Sequence, residues 1–587
     1  MGVSQSLAKL AWGTTSETHE DCSSNEAATA NDNNLETFSL IWLDADVKGV
    51  FNEIDDIILQ IQLNRTQRTN ARIEESFASA FQGKSSAGID GNVVYSQIMV
   101  NILIRMISSS TDRNELISIC RKQYQGNQHE LAILHEFEQN YLADKALWWY
   151  SRESFLYRIL NKALRVRNID LLYSFRFFIR DLRMQLEQNQ CSSHVIVYRG
   201  QFMSKDEIEF LTSSIGQLVL MNSFLSTTLD RNVVIKLFNT RSDDYESVIF
   251  EIDADPCHTG SKPFANITPF SFFPKEGEVL FMLGSIFRII SVDRNNDMWI
   301  IQMTLCSDDD NNRNITYEFM NNQYSNEETN LISLANILRD AGRLDEAEKY
   351  YYRLLEQPSE DHLDRAACYH GLGDVANDKG NYDKSLEFHK ISLEIMTQSL
   401  KADDYCLAYI YNSIGNVYVK KGDYQQALKE YKMALSIWKR TLGEDHLDVA
   451  LCLSNMGAVY ERMIDYSNAY KCHQKALVIR TKHLPIYHPY LAQSHNNIGL
   501  IHSCRGEFDL AVKHYNQSLA IKSKILPPKH PDLAMTLYNL GIVYEYKRDL
   551  QIAREHYEQA AAIYQSAFDS THFDVIQIQE TIRRVSQ

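Results

Sequence analysis

The sequence predicts an α+β domain followed by an all-α repeat solenoid in one chain of 587 residues. Helical spacing of apolar residues from Tyr95 to about residue 190 gives way to six short β-branched or aromatic runs that end at Leu305. These two patterns are typical of amphipathic helices and of strands, and helices followed by strands indicate an α+β domain. Beyond residue 326, small residues recur with a period of 42. A fixed period of this length indicates stacked helical repeats.

Length and charge limit the function classes. At roughly 100–200 residues per domain, the chain has room for about three or four domains. The formal net charge is -17, from 59 basic and 76 acidic residues. A general nucleic-acid-binding protein presents a basic face, so we expect no nucleic-acid partner.

The ten cysteines are scattered, with no C-x-x-C pair and none at metal-ligand spacing with histidine. This usage predicts reduced thiols in an intracellular compartment and no metal in the functional site. No apolar run approaches the roughly 18 residues that a membrane helix needs, and the N-terminus lacks the apolar stretch of a secretory signal. We therefore expect a cytoplasmic location.

Residues 1–36 are rich in Ser, Thr, Asn and Glu and are predicted to be disordered. The chain begins MGVSQS, which fits the N-myristoylation pattern with Gly2 as acceptor and Ser6 at the Ser/Thr position. An ordinary start methionine followed by glycine gives the same letters. One acyl chain without a polybasic cluster anchors only marginally, so the expected membrane contact through Gly2 is weak.

Residues 37–94 form a region of unknown role. The run FSLIWLDADV predicts a buried strand that ends in Asp44 and Asp46, and helical spacing follows. The two carboxylates suggest a metal site, but carboxylates at strand ends are more often simply solvated.

Residues 95–306 carry the predicted α+β domain. Its helical segments are VNILIRMI, ELISICRKQY, SFLYRILNKALR and LLYSFRFFIRDLRMQL. Its predicted strands are HVIVYRG, SFLSTT, SVIFEID, EVLFM, SIFRIISV and WIIQMTL. Polar, acidic residues then predict a linker over 307–325.

Three polar motifs interrupt the predicted strands in order. The run VIVYRG ends in Arg199-Gly200, and a guanidinium beside a glycine matches a phosphate with two parallel hydrogen bonds. Hydroxyls at Ser226, Thr227 and Thr228 in FLSTTLDR can orient a carboxylate. Each motif alone has an ordinary alternative as a surface ion pair or as strand residues. Their order points to one site.

The third motif is the pair Glu276 and Glu278 in PKEGEVLF. On one strand these residues would point to the same face, where two like charges destabilise unless a cationic partner or transition state binds. Solvation of both carboxylates is the alternative.

This order of motifs resembles the Arg–Ser–Glu-x-Glu signature of arginine-specific mono-ADP-ribosyltransferases over residues 95–306. The third hydroxyl, Thr228, departs from the serine of that family. The resemblance implies a split β-sandwich preceded by helices, with NAD as co-substrate and no metal. A Gly-rich dinucleotide fingerprint is absent, which argues against a Rossmann enzyme.

The resemblance also implies residue roles. Arg199, with Gly200, would bind the phosphate and ribose region of NAD, and Thr227 would lie near the nicotinamide. Ser226 would hold Glu278, which would bond the nicotinamide ribose and stabilise an oxocarbenium-like centre.

Glu276 would position and deprotonate the acceptor guanidinium, which is always charged in water. The segment NITPFSFFPK corresponds to the loop that contacts the target, so Phe272 or Phe273 would touch it. Both rings could equally belong to the core.

From residue 326 to 587 the chain resembles tetratricopeptide repeats of the kinesin-light-chain type, in about six units. Gly373, Gly415, Gly457, Gly499 and Gly541 mark the period. The resemblance implies a right-handed solenoid with a groove for a peptide or protein; a solubilising or spacing role is the alternative. Four asparagines fall at or next to the position that this family uses to hold an extended peptide, or they bond within the array: Asn412, Asn455, Asn497 and Asn539.

The function predicted from these motifs is transfer of ADP-ribose from NAD to arginine side chains of a protein that the repeats recruit. Two alternatives stay open. One is hydrolysis of NAD, which shares the donor chemistry. The other is an inactive transferase domain in an interaction scaffold, of which a motor-cargo adaptor is the weaker form, because the heptad coiled coil expected before such repeats is absent.

Overall fold

The computed structural model describes residues 91–586, apart from 108–109, 153, 239–244, 258–260, 296, 308–328, 358–361, 400–403, 527 and 569–570. The predictions for Gly2, for residues 1–36, for nearly all of 37–94 and for the linker at 308–325 lie outside these residues. The chain divides into two compact units, one within 103–313 and the other within 314–587 together with 85–102.

Helices form the first part of the described chain, as predicted. They are α1 (Gly91–Arg105), α2 (Ser110–Gln123), α3 (Gln128–Asn140), α4 (Ala146–Ser151), α5 (Phe155–Val166) and α6 (Ile169–Gln188). The boundary between α5 and α6 is set locally. Arg167 adopts a left-handed conformation (φ 53°) that ends α5, and the Asn168 side chain accepts a hydrogen bond from the Leu171 amide to cap α6.

All six predicted strands are present. The strands are β1 (Val195–Met203), β2 (Leu218–Leu220), β3 (Leu225–Thr228), β4 (Glu246–Ala254), β5 (Phe264–Asn266), β6 (Glu278–Phe281), β7 (Ile286–Asn295) and β8 (Met298–Cys306). Helices α7 (Lys205–Ser213) and α8 (Arg231–Leu237) lie between strands. The sequence did not predict β2 and β5, because three residues are too few to show the alternation of a strand.

The eight strands form one mixed sheet in the order β2-β7-β8-β4-β1-β3-β6-β5. All neighbouring pairs are antiparallel except β4 and β8. Val197, Phe250 and Phe281 are fully buried in its core. The three polar motifs lie on β1, on β3 and at the start of β6, which are consecutive in the sheet although 79 residues separate Arg199 from Glu278.

The remainder of the described chain is helical, in six consecutive pairs and a terminal helix. The helices are α9 (Leu331–Asp340), α10 (Leu344–Glu356), α11 (His362–Asp378), α12 (Tyr382–Ser399), α13 (Tyr405–Lys420), α14 (Tyr424–Leu442), α15 (Leu447–Arg462), α16 (Tyr466–His483), α17 (Pro489–Cys504), α18 (Phe508–Ile525), α19 (Pro531–Tyr546), α20 (Leu550–Ala567) and α21 (Phe573–Ser586). The expected all-α repeat array is confirmed.

The periodic glycines allow the two helices of each pair to approach. A Cβ added to Gly415 would lie 2.6 Å from the Tyr431 ring, and one added to Gly541 would lie 2.5 Å from the Tyr557 ring. The periodic alanines at the other contact points, such as Ala427, are fully buried. In each of these pairs, a ring from the second helix packs against a glycine of the first helix. This contact recurs in successive repeats and explains the 42-residue period of the glycines.

The nine cysteines that lie among the described residues are all free. No helix in the described ranges is both long enough and apolar enough to span a bilayer.

Candidate active site

Strand register brings the three motifs together. Tyr198 on β1 is paired with Thr228 on β3, and Thr228 is paired in turn with Glu278 on β6. Arg199, Ser226 and Glu278 therefore come from three neighbouring strands, as the motif order had suggested.

Glu278 is the first residue of β6, and its side chain is held at both oxygens. The Ser226 hydroxyl donates to Oε1 over 2.6 Å, and the Ser271 hydroxyl donates to Oε2 over 3.3 Å. The residue is 9% exposed. Two oriented donors hold this buried carboxylate in one geometry.

Arg199 lies on β1, the strand that neighbours the β3 strand of Ser226. Its Nη1 donates to the Ser226 carbonyl oxygen over 2.7 Å. Burial lowers the pKa of Arg199 to about 10, and the nearby charge of Glu278 opposes that shift, so the guanidinium remains charged at neutral pH. The sequence placed this arginine at a strand edge. The structure places it in the middle of β1, which continues three residues beyond Gly200.

The hydroxyls of β3 alternate between the two sides of the strand. Thr227 is buried and donates to the Val279 carbonyl oxygen over 2.8 Å. Thr228 donates to the Glu276 carbonyl oxygen over 2.7 Å. Both threonines therefore connect β3 to the β6 segment, and the predicted place of Thr227 beside a nicotinamide stays a prediction.

Glu276 does not lie on a strand, so the argument that both carboxylates share one strand face is wrong. Pro274–Glu276 form a 3₁₀ turn, and Gly277 is in the left-handed region at φ 58°. This turn places Glu276 before β6, where it is partly exposed, while Glu278 is buried. The physical reason is that proline and glycine favour a turn where an i, i+2 strand argument assumes continuous extended backbone.

The segment before this turn packs against α4. The Phe272 amide donates to the Ser151 hydroxyl over 2.8 Å, and its ring lies 5.3 Å from the Trp148 ring. The Arg152 guanidinium lies 5.6 Å from the Phe272 ring centre. Phe272 is still 40% exposed, and Phe273 is half-buried. Neither ring is fully buried, so the alternative in which both rings belong to the core does not hold.

Ser271 and Tyr150 adjoin Glu278 but were not among the predicted site residues. The Tyr150 hydroxyl pairs with Asn161, and its pKa is raised above the usual value by burial first and also by the charge of Glu278. Ser271 stands within the predicted target loop, but nothing in its spacing marks it as a partner of Glu278.

A buried carboxylate oriented by hydroxyls beside a half-buried arginine suits the stabilisation of positive charge at a sugar carbon. The geometry therefore suits chemistry at a sugar carbon, on an α+β scaffold. Within the described residues, the one cluster with metal-binding geometry lies outside this unit, in the repeats.

Comparison with known families agrees with this assignment. A family model described as NAD:arginine ADP-ribosyltransferase matches residues 105–311. A tetratricopeptide repeat model matches residues 327–398, 406–482, 454–524 and 490–566. The chain carries an ADP-ribosyltransferase domain, which uses NAD as substrate, followed by tetratricopeptide repeats, which support interaction with proteins.

Part of the chain is also similar to solved structures. The crystal structure of BtubC (BKLC) from P. vanneervenii is 23% identical, with 40% of this chain and 92% of that chain covered, at a TM-score of 0.34. A putative kinesin light chain with nearly identical TPR-like repeats from Podosopora anserina is 21% identical, with 36% and 100% covered, at a TM-score of 0.32. The comparison with curated proteins gave no match.

The four asparagines singled out in the repeats differ in their surroundings. Asn455 donates to Asn412 over 3.1 Å, and both are buried. Asn497 and Asn539 are half-buried. The first two therefore bond within the array, as the alternative interpretation held.

Proposed function

We propose that residues 95–306 transfer ADP-ribose from NAD to arginine side chains of a protein recruited by the repeats, with release of nicotinamide. The observation that carries the proposal is the 2.6 Å hydrogen bond between Ser226 and Glu278 on two adjacent strands. The Arg199 guanidinium donates a hydrogen bond to the carbonyl oxygen of the same serine.

Glu278 acts on the donor. As the glycosidic C–N bond breaks, its electron pair leaves with nicotinamide and positive charge develops on the ribose C1′. A carboxylate beside that carbon stabilises the charge, as in glycoside hydrolysis. Ser226 and Ser271 keep Glu278 in one orientation, so it need not reorganise during the reaction.

Arg199 binds the phosphate and ribose region of NAD, and Gly200 beside it adds no side chain. Because the guanidinium is desolvated yet charged, its attraction for a phosphate exceeds that of a surface arginine. Thr227 is assigned to the nicotinamide side of the same pocket.

Glu276 acts on the acceptor. A free guanidinium is protonated and a poor nucleophile. The partly exposed Glu276 positions it and accepts its proton as a guanidine nitrogen attacks C1′. Phe272 and Phe273, which precede Glu276, contact the target around this arginine.

The repeats select the target. A solenoid of paired helices offers an extended concave surface to a peptide or protein, and we assign recruitment of the arginine-bearing substrate to residues 326–587. The catalytic domain is assigned to residues 95–306.

We also propose a cytoplasmic protein that contacts membranes weakly when Gly2 is acylated. Mass spectrometry of the N-terminal peptide from eukaryotic cells tests this, with Gly2→Ala as control. An unmodified peptide would remove the lipid from the proposal without affecting the enzyme.

Incubation of the full chain with labelled NAD and poly-arginine tests the transfer. Glu278→Gln should abolish labelling and nicotinamide release together. Glu276→Gln should lose labelling but keep some nicotinamide release. Glu209→Gln is the matched control, because it is the second glutamate of another Glu-x-Glu pair, exposed on α7 of the same domain.

The outcomes separate the three candidate functions. Nicotinamide release without labelling indicates hydrolysis or another acceptor. Full activity of Glu278→Gln would refute the assignment of the carboxylate. Absence of both signals in the unaltered chain would favour the scaffold.

A further inference from the structure

A second cluster of chemically reactive side chains lies in the repeats, remote in sequence from the transferase motifs. His370 and Asp374 are one turn apart on α11, and His389 lies on α12. One ligand atom from each lies within 4.8 Å of the others. All three side chains are buried, at 4%, 9% and 0% exposure.

The two neighbouring repeats carry other residues at these positions. In the first repeat the Tyr351 hydroxyl donates to Asn336 over 2.5 Å, and in the third the Tyr431 hydroxyl donates to Asn416 over 2.6 Å. Each pair is 15 residues apart, like Asp374 and His389. The second repeat therefore replaces an Asn–Tyr hydrogen bond by an acid and an imidazole.

The position equivalent to His370 is also different in the next repeat. It is Asn412, 42 residues further on. All three members of the cluster thus stand where the third repeat has Asn412, Asn416 and Tyr431. The second repeat has exchanged ordinary packing residues for three groups that can ligate a metal.

His389 is the second observation that points to a ligand. Neither of its ring nitrogens has a hydrogen-bond partner in the structure, although the ring is fully buried. Its Nε2 lies 3.7 Å from Asp374 Oδ1, beyond hydrogen-bond distance. A buried polar atom without a partner is costly, so it requires an explanation.

A matched histidine shows the contrast. His473 occupies the equivalent position two repeats later, and it also packs against a helix glycine, Gly457. There, however, Nε2 lies 2.9 Å from Glu461 Oε1. A histidine that packs against a helix glycine can therefore still form a hydrogen bond, so packing alone does not explain the two unpaired nitrogens of His389.

The His389 ring is held in place by its surroundings. A Cβ added to Gly373 would lie 2.5 Å from its Cε1, so the ring fills the space against the backbone of α11. The packing of the ring against α11 therefore fixes the position of the imidazole beside Asp374.

Asp374 is held by a buried ion pair. Arg339 bonds Asp374 over 2.5 Å and Asp340 over 3.2 Å, and all three are buried. Arg339 also fixes the carboxylate of Asp374, as hydrogen-bonded partners of metal-ligating carboxylates do.

We propose that His370, Asp374 and His389 bind one divalent transition-metal ion, of which zinc fits the donor set best, as a structural site inside the second repeat. Two imidazoles and a carboxylate suit zinc. Zinc–ligand bonds of about 2.0–2.2 Å place tetrahedral ligands roughly 3.4 Å apart. The three atoms lie within 4.8 Å of one another and need to approach by up to about 1.4 Å, and a water completes the site.

The site joins α11 to α12 and lies against α13, so we infer that the metal stabilises the array rather than the transferase chemistry. This inference uses residues of the repeats alone, so it does not depend on which side chain accepts ADP-ribose.

Metal content of the full chain tests this inference. Protein is purified from zinc-supplemented cells, and a second sample is unfolded with a chelator and refolded with zinc. Elemental analysis should give about one zinc per chain in both samples. Cobalt in place of zinc should give the visible absorption of a tetrahedral site.

Two substitutions keep the repeat fold because they restore the residues of other repeats. His389→Tyr copies Tyr431, and His370→Asn copies Asn412. Each should lose the zinc and the cobalt absorption. His473→Tyr is the matched control and should keep both. Chelation should lower the Tm of the unaltered chain and of the control, and should leave His389→Tyr unchanged.

Two results would overturn the inference. One is an unaltered chain that holds no zinc after both preparations. The other is a His389→Tyr chain that holds as much zinc as the unaltered one, which would place the metal on other histidines. Far-UV circular dichroism verifies that the variants fold.

Discussion

The Ser226 hydroxyl lies 2.6 Å from Glu278 Oε1, although the two residues are 52 positions apart in the chain. One strand pairing creates this contact, because β3 runs antiparallel to β6 and places Ser226 opposite Leu280 and Thr228 opposite Glu278. The orientation of the buried carboxylate therefore depends on the β3–β6 register as well as on the two residue types.

Ser226→Ala should reduce kcat for transfer on the order of 10²-fold, with a smaller change in KM for NAD, because Glu278 loses its shorter hydrogen bond and its orientation. Steady-state kinetics with labelled NAD measures both constants. Ser285→Ala is the comparison, since its buried hydroxyl bonds the Met282 carbonyl and not a carboxylate of the site. It should cost about 1–3 kcal/mol of stability and retain kcat. Equal loss of kcat in both variants would show that the effect of Ser226→Ala comes from the fold rather than from Glu278.

Ser271→Ala should lower kcat about tenfold and change KM for NAD less, because Ser271 positions Glu278 through the weaker, 3.3 Å contact. Ser271→Thr keeps the hydroxyl and should restore kcat. The exposed Ser213, whose hydroxyl bonds the Phe210 carbonyl, is the control position. Failure of threonine to restore activity would indicate that Ser271 matters for loop packing rather than for the carboxylate.

Phe272→Ala should reduce transfer to a protein target several-fold and leave transfer to a small guanidine compound nearly unchanged. The ring is 40% exposed beside Glu276 and is held by Trp148, so it is placed to contact a macromolecule. Phe270→Ala is the matched control, because this residue is 38% exposed in the same loop. A parallel loss with both acceptors would show that Phe272 supports the site itself.

Gly415→Ala should destabilise the repeats by about 1–3 kcal/mol, although alanine is the better helix former by about 1 kcal/mol. The new Cβ would lie 2.6 Å from the Tyr431 ring, closer than a carbon atom can approach. Gly499→Ala, where the nearest ring atom of Tyr515 is 3.0 Å away, should cost less. Urea unfolding followed by circular dichroism ranks the three chains. The opposite ranking would mean that the helices move apart freely.

Lys379→Met should destabilise the first two repeats at neutral pH by about 1 kcal/mol or less, as expected for a partly exposed ion pair. Lys379 lies 2.6 Å from Glu348, and its hydrogen bond is the first cause of the lowered pKa of Glu348. A lowered folded-state pKa contributes stability above the unfolded value of about 4.3, which is lost as the pH falls through the folded value. The difference between the two chains should therefore vanish at low pH. Lys390→Met, at an exposed position on α12, controls for charge alone.

Several parts of the site followed from the sequence, and others did not. Arg199, Ser226 and Glu278 were placed on separate strands by residue pattern and by the order of a known signature, and the structure has those strands. Glu276 and Glu278 do not share one strand face as predicted, because Pro274–Glu276 form a 3₁₀ turn and Gly277 adopts a left-handed conformation before β6. Ser271 and Tyr150 were missed because contacts across 7 and 128 positions leave no periodic signal.

The buried histidines of the second repeat show the same limit. His370 and Asp374 are spaced by four on a helix, which sequence can reveal, but His389 joins them only when α12 packs against α11. The cluster contains no cysteine, so the spacing of the cysteines in the sequence carries no information about it.

By itself the sequence determined the two architectures and the residue types of the transferase motifs, because periodicity and turn residues are local properties of the chain. Only the tertiary structure decided which oxygens of Glu278 are held, that Glu276 precedes its strand and that three buried groups meet in the second repeat. These depend on strand register and helix packing, which join residues far apart in the chain through contacts that no local pattern encodes.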